Sequence, residues 1–190
     1  MSSTEKAMSK QHGVDVGRLV DTVNAVQANP DLARFRFHAN TEWLGGARVR
    51  TQIQEIHQNG QEASKRSRPH EMEGDEPDVL LGADTAPNAV ESVLHALTSC
   101  LAVGFSYNAA ARGIDVKSLS FRIDGDLDLR NFLGIEDGPR PGFQNIRVSY
   151  RVESDAPRDQ IEELCEYVQE TSPVLDIIQN PVPVEVALEG

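Results

Sequence analysis

The chain has 190 residues, 39% of them hydrophobic and 25% charged, which is enough for one domain with a buried core. Its net charge of −12 at pH 7 argues against nucleic acid and anionic membranes as main partners, because both attract basic surfaces. Apolar runs fall short of the ~20 residues of a membrane-spanning helix, and the polar N-terminus lacks a signal-peptide core. We therefore expect a cytoplasmic protein without a membrane partner.

The first half of the chain predicts one helix followed by strands. Residues 1–13 are polar, and we expect them to be disordered. Apolar residues from Val16 to Val26 follow helical spacing, and Asn29-Pro30 ends that helix. The stretches "RFRFHANTEW" and "ARVRTQIQEI" predict two strands that turn at "LGG". A third strand of uncertain extent follows Gly60, and the acidic "EMEGDEP" is most simply a solvated loop.

The second half predicts two helices separated by a strand pair. The first helix begins at Asn88, where Glu91 completes a capping box, and continues for roughly 25 residues to Gly113. "VKSLSFRIDGDLDL" and "NIRVSYRVES" alternate as an antiparallel pair. "RDQIEELCEYVQETS" predicts a helix that "PVLDIIQN" prolongs beyond a kink. Four alternating apolar residues then predict a terminal strand: Val182, Val184, Val186 and Leu188. Strands in blocks between helices indicate the α+β class.

The cysteines are the candidate reactive groups. With only Cys100 and Cys165, a disulfide scaffold is not expected, and a thiol in a reducing compartment is either inert or chemically active. The five histidines are scattered, and no cysteine–histidine cluster has zinc-ligand spacing, so we expect no metal site. The sequence also lacks a Gly-rich phosphate loop.

The long helix carries a resemblance to a known family. "APNAVESVLHALTSCLA", followed by "AAARGIDVKSLSFRIDGDLDL", resembles the central helix and next strand of the OsmC/Ohr family, and "ETSPVLDIIQNPVPV" resembles its second helix and last strand. The resemblance covers about residues 35–190. It divides the chain into an N-terminal extension with a short helix, 1–32, and an OsmC-like domain, 33–190.

The resemblance implies a fold, an assembly and a reaction. The fold is α+β, with a mostly antiparallel sheet, two central helices and an intertwined homodimer. Family members are thiol-dependent peroxidases that reduce organic hydroperoxides and are reset by a thiol or dithiol, without a bound cofactor. Cys100 falls on the reactive position and Glu91 on the acidic one. The arginine that holds the thiolate has Arg48 and Arg50 as its nearest candidates, of which we prefer Arg48.

Glu91 fits the acidic position of one branch of the family, whereas other branches have that Glu one residue earlier, at Val90 here. The main departure from the family pattern is at position 172. The family has Cys-Pro where this chain has Ser172-Pro173, and a serine cannot form the resolving disulfide. Resolution of an oxidised Cys100 then falls to Cys165 or to an external thiol. Cys165 is more simply a core residue, because it lies seven residues, or ~10 Å along a helix, from Ser172.

Less specific interpretations remain open for each residue. Cys100 is a small buried hydrophobe in the simplest interpretation, although small neighbours at Ser99 and Gly104 leave room for a ligand. Glu91 caps a helix whether or not it has another role. Besides the peroxidase, we keep two hypotheses: an OsmC-fold protein without turnover that binds a small apolar or electrophilic ligand at the dimer interface, and a structural domain with an inert cysteine.

Overall fold

The structure is a computed structural model that describes residues 10, 11 and 13–190. These residues form two compact units. One comprises Leu94–Gly190 with the described residues up to Val16, and the other comprises Gly17–Val93. We expected residues 1–13 to be disordered, and most of them lie outside the described residues. Within them, strand β1 (Lys10–Gln11) pairs with β2 (Val14–Asp15), so that part of the expectation is wrong.

The unit Gly17–Val93 contains helix α1 and six strands. Helix α1 (Val16–Ala28) ends before Asn29, which caps a 3₁₀ turn at Pro30–Ala33. The strands form two three-stranded antiparallel sheets, in the orders β3-β6-β7 and β4-β5-β8. Their bounds are β3 (Phe35–Phe37), β4 (Asn40–Gly45), β5 (Arg48–Ile53), β6 (Ile56–Gln58), β7 (Gln61–Glu62) and β8 (His70–Gly74).

Each of the two long strands predicted in this unit is divided between the two sheets. "RFRFHANTEW" splits into β3 and β4, and "ARVRTQIQEI" splits into β5 and β6. The predicted turn is confirmed, because Gly45 at the end of β4 and Gly46 after it have φ of 106° and 59°. Such left-handed backbone suits glycine.

The other unit contains the long helix and the clearest strand pair. Helix α2 (Ala89–Ala111) begins in the unit Gly17–Val93 and continues into this one. Strands β9 (Ser118–Asp126) and β10 (Asn145–Glu153) pair antiparallel over nine residues, as their alternation predicts. Helices α3 (Arg158–Glu170) and α4 (Pro173–Gln179) follow.

The core of this unit forms between α2, α3 and the inner face of the β9–β10 pair. Its buried members on the two helices lie one helical turn apart, so α2 and α3 each present an apolar stripe, and Ile114 joins them from just beyond the end of α2. They are Leu97, Leu101, Phe105, Ala109, Ile114, Leu164 and Val168. By length and composition α2 is apolar enough to cross a membrane, although the sequence indicated no such run. Buried core helices meet the same criteria, and five residues of α2 are buried.

The terminal strand predicted for residues 182–188 does not form. Residues 181–190 have neither helix nor strand, and Val186 and Leu188 are 92% and 100% exposed. A strand requires a hydrogen-bonded neighbour, and the described chain does not pair one with this segment. The α+β class is nevertheless confirmed, with antiparallel sheets and four helices.

Candidate active site

Cys100 lies in the middle of α2, half-buried, and its sulfur contacts a serine hydroxyl from a distant part of the chain. Ser172 Oγ donates a hydrogen bond to Cys100 Sγ at 3.2 Å, across 72 residues of sequence. Both residues belong to the unit that contains the core. The position that the resemblance assigned to a second cysteine is therefore directly beside the candidate nucleophile.

The Ser172 hydroxyl is held in place by its role at the start of α4. Its oxygen accepts a hydrogen bond from the Leu175 N–H at 3.2 Å, as an N-cap serine does. The side chain is only 5% exposed. Because the oxygen is engaged as an acceptor, its own proton is available to the sulfur, and a donor at that point stabilises negative charge on a thiolate.

The break between α3 and α4 places Ser172 where it is. We predicted that "PVLDIIQN" prolongs α3 beyond a kink, and that Cys165 and Ser172 lie on one face of that helix. Instead α3 ends at Glu170, and the extended Ser172 backbone starts a separate helix. Pro173 explains the break, because a proline disfavours helical backbone in the residue before it. The 10 Å separation expected along one helix therefore does not apply.

Cys165 lies on α3 and packs against the hydrophobic core. Both cysteines are free thiols. Burial, with the negative charges of Glu162 and Glu166, raises the pKa of the Cys165 thiol. The thiolate is the attacking form of cysteine, so this environment disfavours nucleophilic chemistry at Cys165.

Gly104 is small because two helices meet there. A Cβ built on Gly104 would lie 3.2 Å from Cγ1 of Val168 on α3. The interpretation that Gly104 leaves room for a ligand is therefore wrong, since the space is filled by Val168. Ser99 lies toward His95, whose ring nitrogens are 3.4 and 3.5 Å from its hydroxyl.

The two candidate arginines lie in the other unit, on the same face of β5. Arg50 donates a hydrogen bond to Glu73 on β8 at 3.0 Å, whereas Arg48 is 3.9 Å from the same carboxylate. The bond to Glu73 raises the pKa of the Arg50 guanidinium. Arg48 is the less tightly paired of the two, and exposed pairs of this kind are worth about 0–1 kcal/mol. The role of either arginine beside Cys100 stays a prediction.

Glu91 forms the predicted capping box at the start of α2. Its carboxylate accepts from the Asn88 N–H, and its own N–H donates to the Asn88 side chain, both at 2.9 Å. Asn88 is buried and also donates to Glu76 at 3.1 Å. The capping interpretation is thus confirmed, and any further role of Glu91 toward Cys100 stays a prediction.

The acidic "EMEGDEP" stretch is not simply a solvated loop. Residues 71–74 belong to β8, and Asp75 is only 3% exposed. Its carboxylate accepts hydrogen bonds from the Thr85 hydroxyl at 2.7 Å and from three backbone N–H groups, those of Glu76, Ala83 and Thr85. These bonds, chiefly those from Thr85, lower the pKa of Asp75. Composition alone did not predict the burial of Asp75, because that burial depends on how the chain folds back to Thr85.

Asp75 fixes the loop that leads into α2. The loop is tight: a Cβ on Gly82 would lie 1.7 Å from the Glu76 carbonyl oxygen, so only glycine fits there. Beside it, a cavity of about 400 Å³ is lined mainly by apolar groups, including Val49, Met72 and Pro87.

Comparison with known proteins identifies the family. The sequence model of the OsmC-like proteins matches residues 82–187, more than half of the chain. This chain belongs to the OsmC-like protein family. The match covers α2 with Cys100 and extends past Ser172, so both members of the contact lie within the family domain.

Solved structures show the same fold at low sequence identity. An OsmC-like protein from Mycoplasma pneumoniae is 13% identical, with a TM-score of 0.58 over 77% of this chain and 89% of its own. A putative osmotic stress induced and detoxification response protein from Psychrobacter arcticus is 14% identical, with a TM-score of 0.56 over 75% and 88%. An organic hydroperoxide resistance protein OsmC from Legionella pneumophila is 15% identical, with a TM-score of 0.52 over 76% and 89%. Among curated protein sequences, none matched this OsmC-like chain.

Proposed function

We propose that this OsmC-like protein is a thiol-dependent peroxidase that reduces organic hydroperoxides with Cys100 as the nucleophile. The observation that carries the proposal is the contact between Cys100 Sγ and the Ser172 hydroxyl, at the family's two-cysteine position. Family membership and the name of the Legionella pneumophila structure support the substrate class.

The proposed reaction consumes one hydroperoxide and two external thiols. The Cys100 thiolate attacks the outer peroxide oxygen, the O–O bond breaks, and the alkoxide leaves and takes up a proton to become the alcohol. Cys100 becomes a sulfenic acid. A first external thiol then attacks the sulfenic sulfur, forming a mixed disulfide and releasing water. A second thiol, or the second arm of a dithiol, attacks that disulfide and restores Cys100.

Because residue 172 is a serine, an external thiol is proposed to attack the sulfenic acid in place of an internal one. The Ser172 hydroxyl donates to sulfur but cannot form an S–S bond, so it serves to hold the sulfur and to stabilise negative charge on it. Cys165 is the alternative resolving group. Its raised pKa, caused by burial and two neighbouring glutamates, disfavours that role. We propose that no bound cofactor takes part.

Arg48 is proposed to hold the Cys100 thiolate, with Glu91 orienting it. The looser contact of Arg48 with Glu73 supports this choice over Arg50, whose hydrogen bond to Glu73 is shorter. A positive charge near a cysteine favours its thiolate form.

We also propose that the protein works as a homodimer in the cytoplasm. On α2, Val103 and Tyr107 are 52% and 48% exposed, although they lie on the central helix of the fold. The alternating apolar residues at 182–188 are exposed and lack a partner strand in the described chain. A second copy that covers α2 and pairs with this segment would bury both. The two free thiols suit a reducing compartment.

The second candidate function is binding without turnover. Ser172 favours it, because the internal redox partner is missing. The cavity beside β5 and the start of α2, which is lined by apolar groups and by Glu73, Asp75 and Glu76, offers a place for a small ligand.

Steady-state turnover separates the two candidates. Cumene hydroperoxide consumption is followed with dihydrolipoamide as reductant, in the wild-type protein and in Cys100→Ser and Cys165→Ser. We expect turnover that disappears in Cys100→Ser and persists in Cys165→Ser. Absence of turnover in the wild type would refute the peroxidase, and loss of turnover in Cys165→Ser would make Cys165 the resolving group.

A further inference from the structure

A cluster of two histidines and a glutamate lies on one face of the β3–β6 pair, in the unit that does not contain Cys100. Phe37 pairs with Ile56, and the next position continues the pairing, because the His38 N–H donates to the Glu55 carbonyl at 3.4 Å. His38 and Glu55 are thus directly opposite each other. His57 follows Glu55 by two residues, so its side chain points to the same face.

The side chains of this cluster converge at their ligand atoms. One nitrogen from each imidazole and one Glu55 carboxylate oxygen all lie within 4.8 Å of one another. The His38 and His57 rings approach edge to face, with centroids 5.2 Å apart. Around a tetrahedral Zn²⁺ with bonds of ~2.0–2.1 Å, ligand atoms are separated by roughly 3.3 Å. Rotation of the exposed Glu55 side chain and small ring movements close that difference.

Both histidines also have a buried nitrogen without a hydrogen-bond partner among the described residues. These atoms are His38 Nε2 and His57 Nδ1. A buried polar atom that lacks a partner is unfavourable and uncommon. A metal ion is a partner that such a nitrogen accepts, because a neutral imidazole nitrogen is a metal ligand.

We propose that His38, Glu55 and His57 bind a divalent transition-metal ion, with Zn²⁺ as the reference ion. Two imidazoles and one carboxylate suit Zn²⁺ and its neighbours in the first transition series, whereas Mg²⁺ and Ca²⁺ prefer oxygen ligands. Three protein ligands leave a fourth position for water or a further ligand.

The neighbouring charges on this face are of both signs. Arg36 is paired with His57 on β3, and Glu62 is paired with it on β7. The Arg36 side chain is exposed, so solvent screens its positive charge. Glu62 adds a second carboxylate beside the site and balances Arg36.

The metal would stabilise the short β3–β6 strand pair. Strand β3 has three residues and pairs with β6 over three positions. His38 directly follows β3 and His57 belongs to β6, so bonds from both to one ion would join the two strands independently of their hydrogen bonds. Sequence spacing did not indicate the site, because its two histidines are 19 residues apart rather than in one short motif.

The test is a calorimetric titration of the full chain with Zn²⁺ after treatment with a chelator. We expect one equivalent to bind and to raise Tm. His38→Gln, His57→Gln and Glu55→Gln should each weaken binding by at least about tenfold. His70→Gln, which removes an exposed histidine from the other sheet, is the matched control and should bind as the wild type does.

Two further measurements keep the result unambiguous. The Cys100→Ser variant should still bind one equivalent of Zn²⁺, which separates this site from the proposed peroxidase. If the histidine variants do not fold, as judged by circular dichroism, the exposed Glu55→Gln decides. Absence of binding to the wild type, unchanged binding in Glu55→Gln, or equal weakening in His70→Gln would overturn the proposal.

Discussion

Replacing Ser172 with cysteine should create an internal disulfide with Cys100. The Ser172 oxygen is 3.2 Å from Cys100 Sγ, and a disulfide has an S–S distance of about 2.05 Å. A movement of roughly 1 Å is needed, which rotation of the two side chains can supply. In the reduced state, loss of the serine N-cap should lower the free energy of unfolding by about 1 kcal/mol.

The size of the gain on oxidation follows from the chain that the bond closes. Residues 100 and 172 are 72 positions apart, for which loop entropy gives about 4 kcal/mol of stabilisation. For a protein of this length, that corresponds to a Tm increase of roughly 8–16 °C over the reduced variant. Strain in the new bond would reduce the gain.

The assay treats Ser172→Cys with one equivalent of cumene hydroperoxide and then measures free thiols, intact mass and Tm. We expect loss of two thiols, no added oxygen and a higher Tm. Thr171→Cys is the matched control, because residue 171 is exposed and its hydroxyl bonds back to Tyr167 on α3. If Ser172→Cys behaves like Thr171→Cys, with oxygen added to Cys100 and no disulfide between residues 100 and 172, the proposed geometry is refuted.

Three further predictions concern stability. Burial raises the pKa of Tyr150 to about 12, and its hydroxyl lacks a partner among the described residues. The free energy of unfolding should therefore fall by ~1–2 kcal/mol as pH rises above about 10. In urea unfolding, Tyr150→Phe should not show that fall. Glu91→Ala should lose about 1 kcal/mol of capping, whereas Glu91→Gln should keep it and, if Glu91 also orients the arginine, show lower turnover. Asp75 has a lowered pKa, so wild-type stability should decline as pH falls below about 4. Asp75→Asn should be less stable at pH 7 and lack this decline in acid unfolding.

Local patterns predicted the elements whose burial is decided within the chain. The β9–β10 pair and helices α2 and α3 have strong alternation or helical periodicity, and each buries its apolar face in the described core. The segment at 182–188 has an equally clear alternation, yet it forms no strand, because strand formation depends on a neighbour that the described chain does not provide.

The candidate site was only partly predictable for a similar reason. The helix pattern placed Cys100 and Glu91, since both belong to one continuous element. The contact of Ser172 with Cys100 depends on the break before Pro173, and the burial of Asp75 depends on a loop that folds back to Thr85. Neither leaves a periodic signal in the sequence.

The central claim is that a hydroperoxide oxidises the sulfur of Cys100. The direct measurement is the mass of the Cys100 peptide after one equivalent of cumene hydroperoxide without reductant, with dimedone present to trap sulfenic acid. We predict one dimedone adduct on Cys100, formed faster than on a model thiol, and none on Cys165. A Cys100 that is unmodified, or modified no faster than the model thiol, would contradict the account.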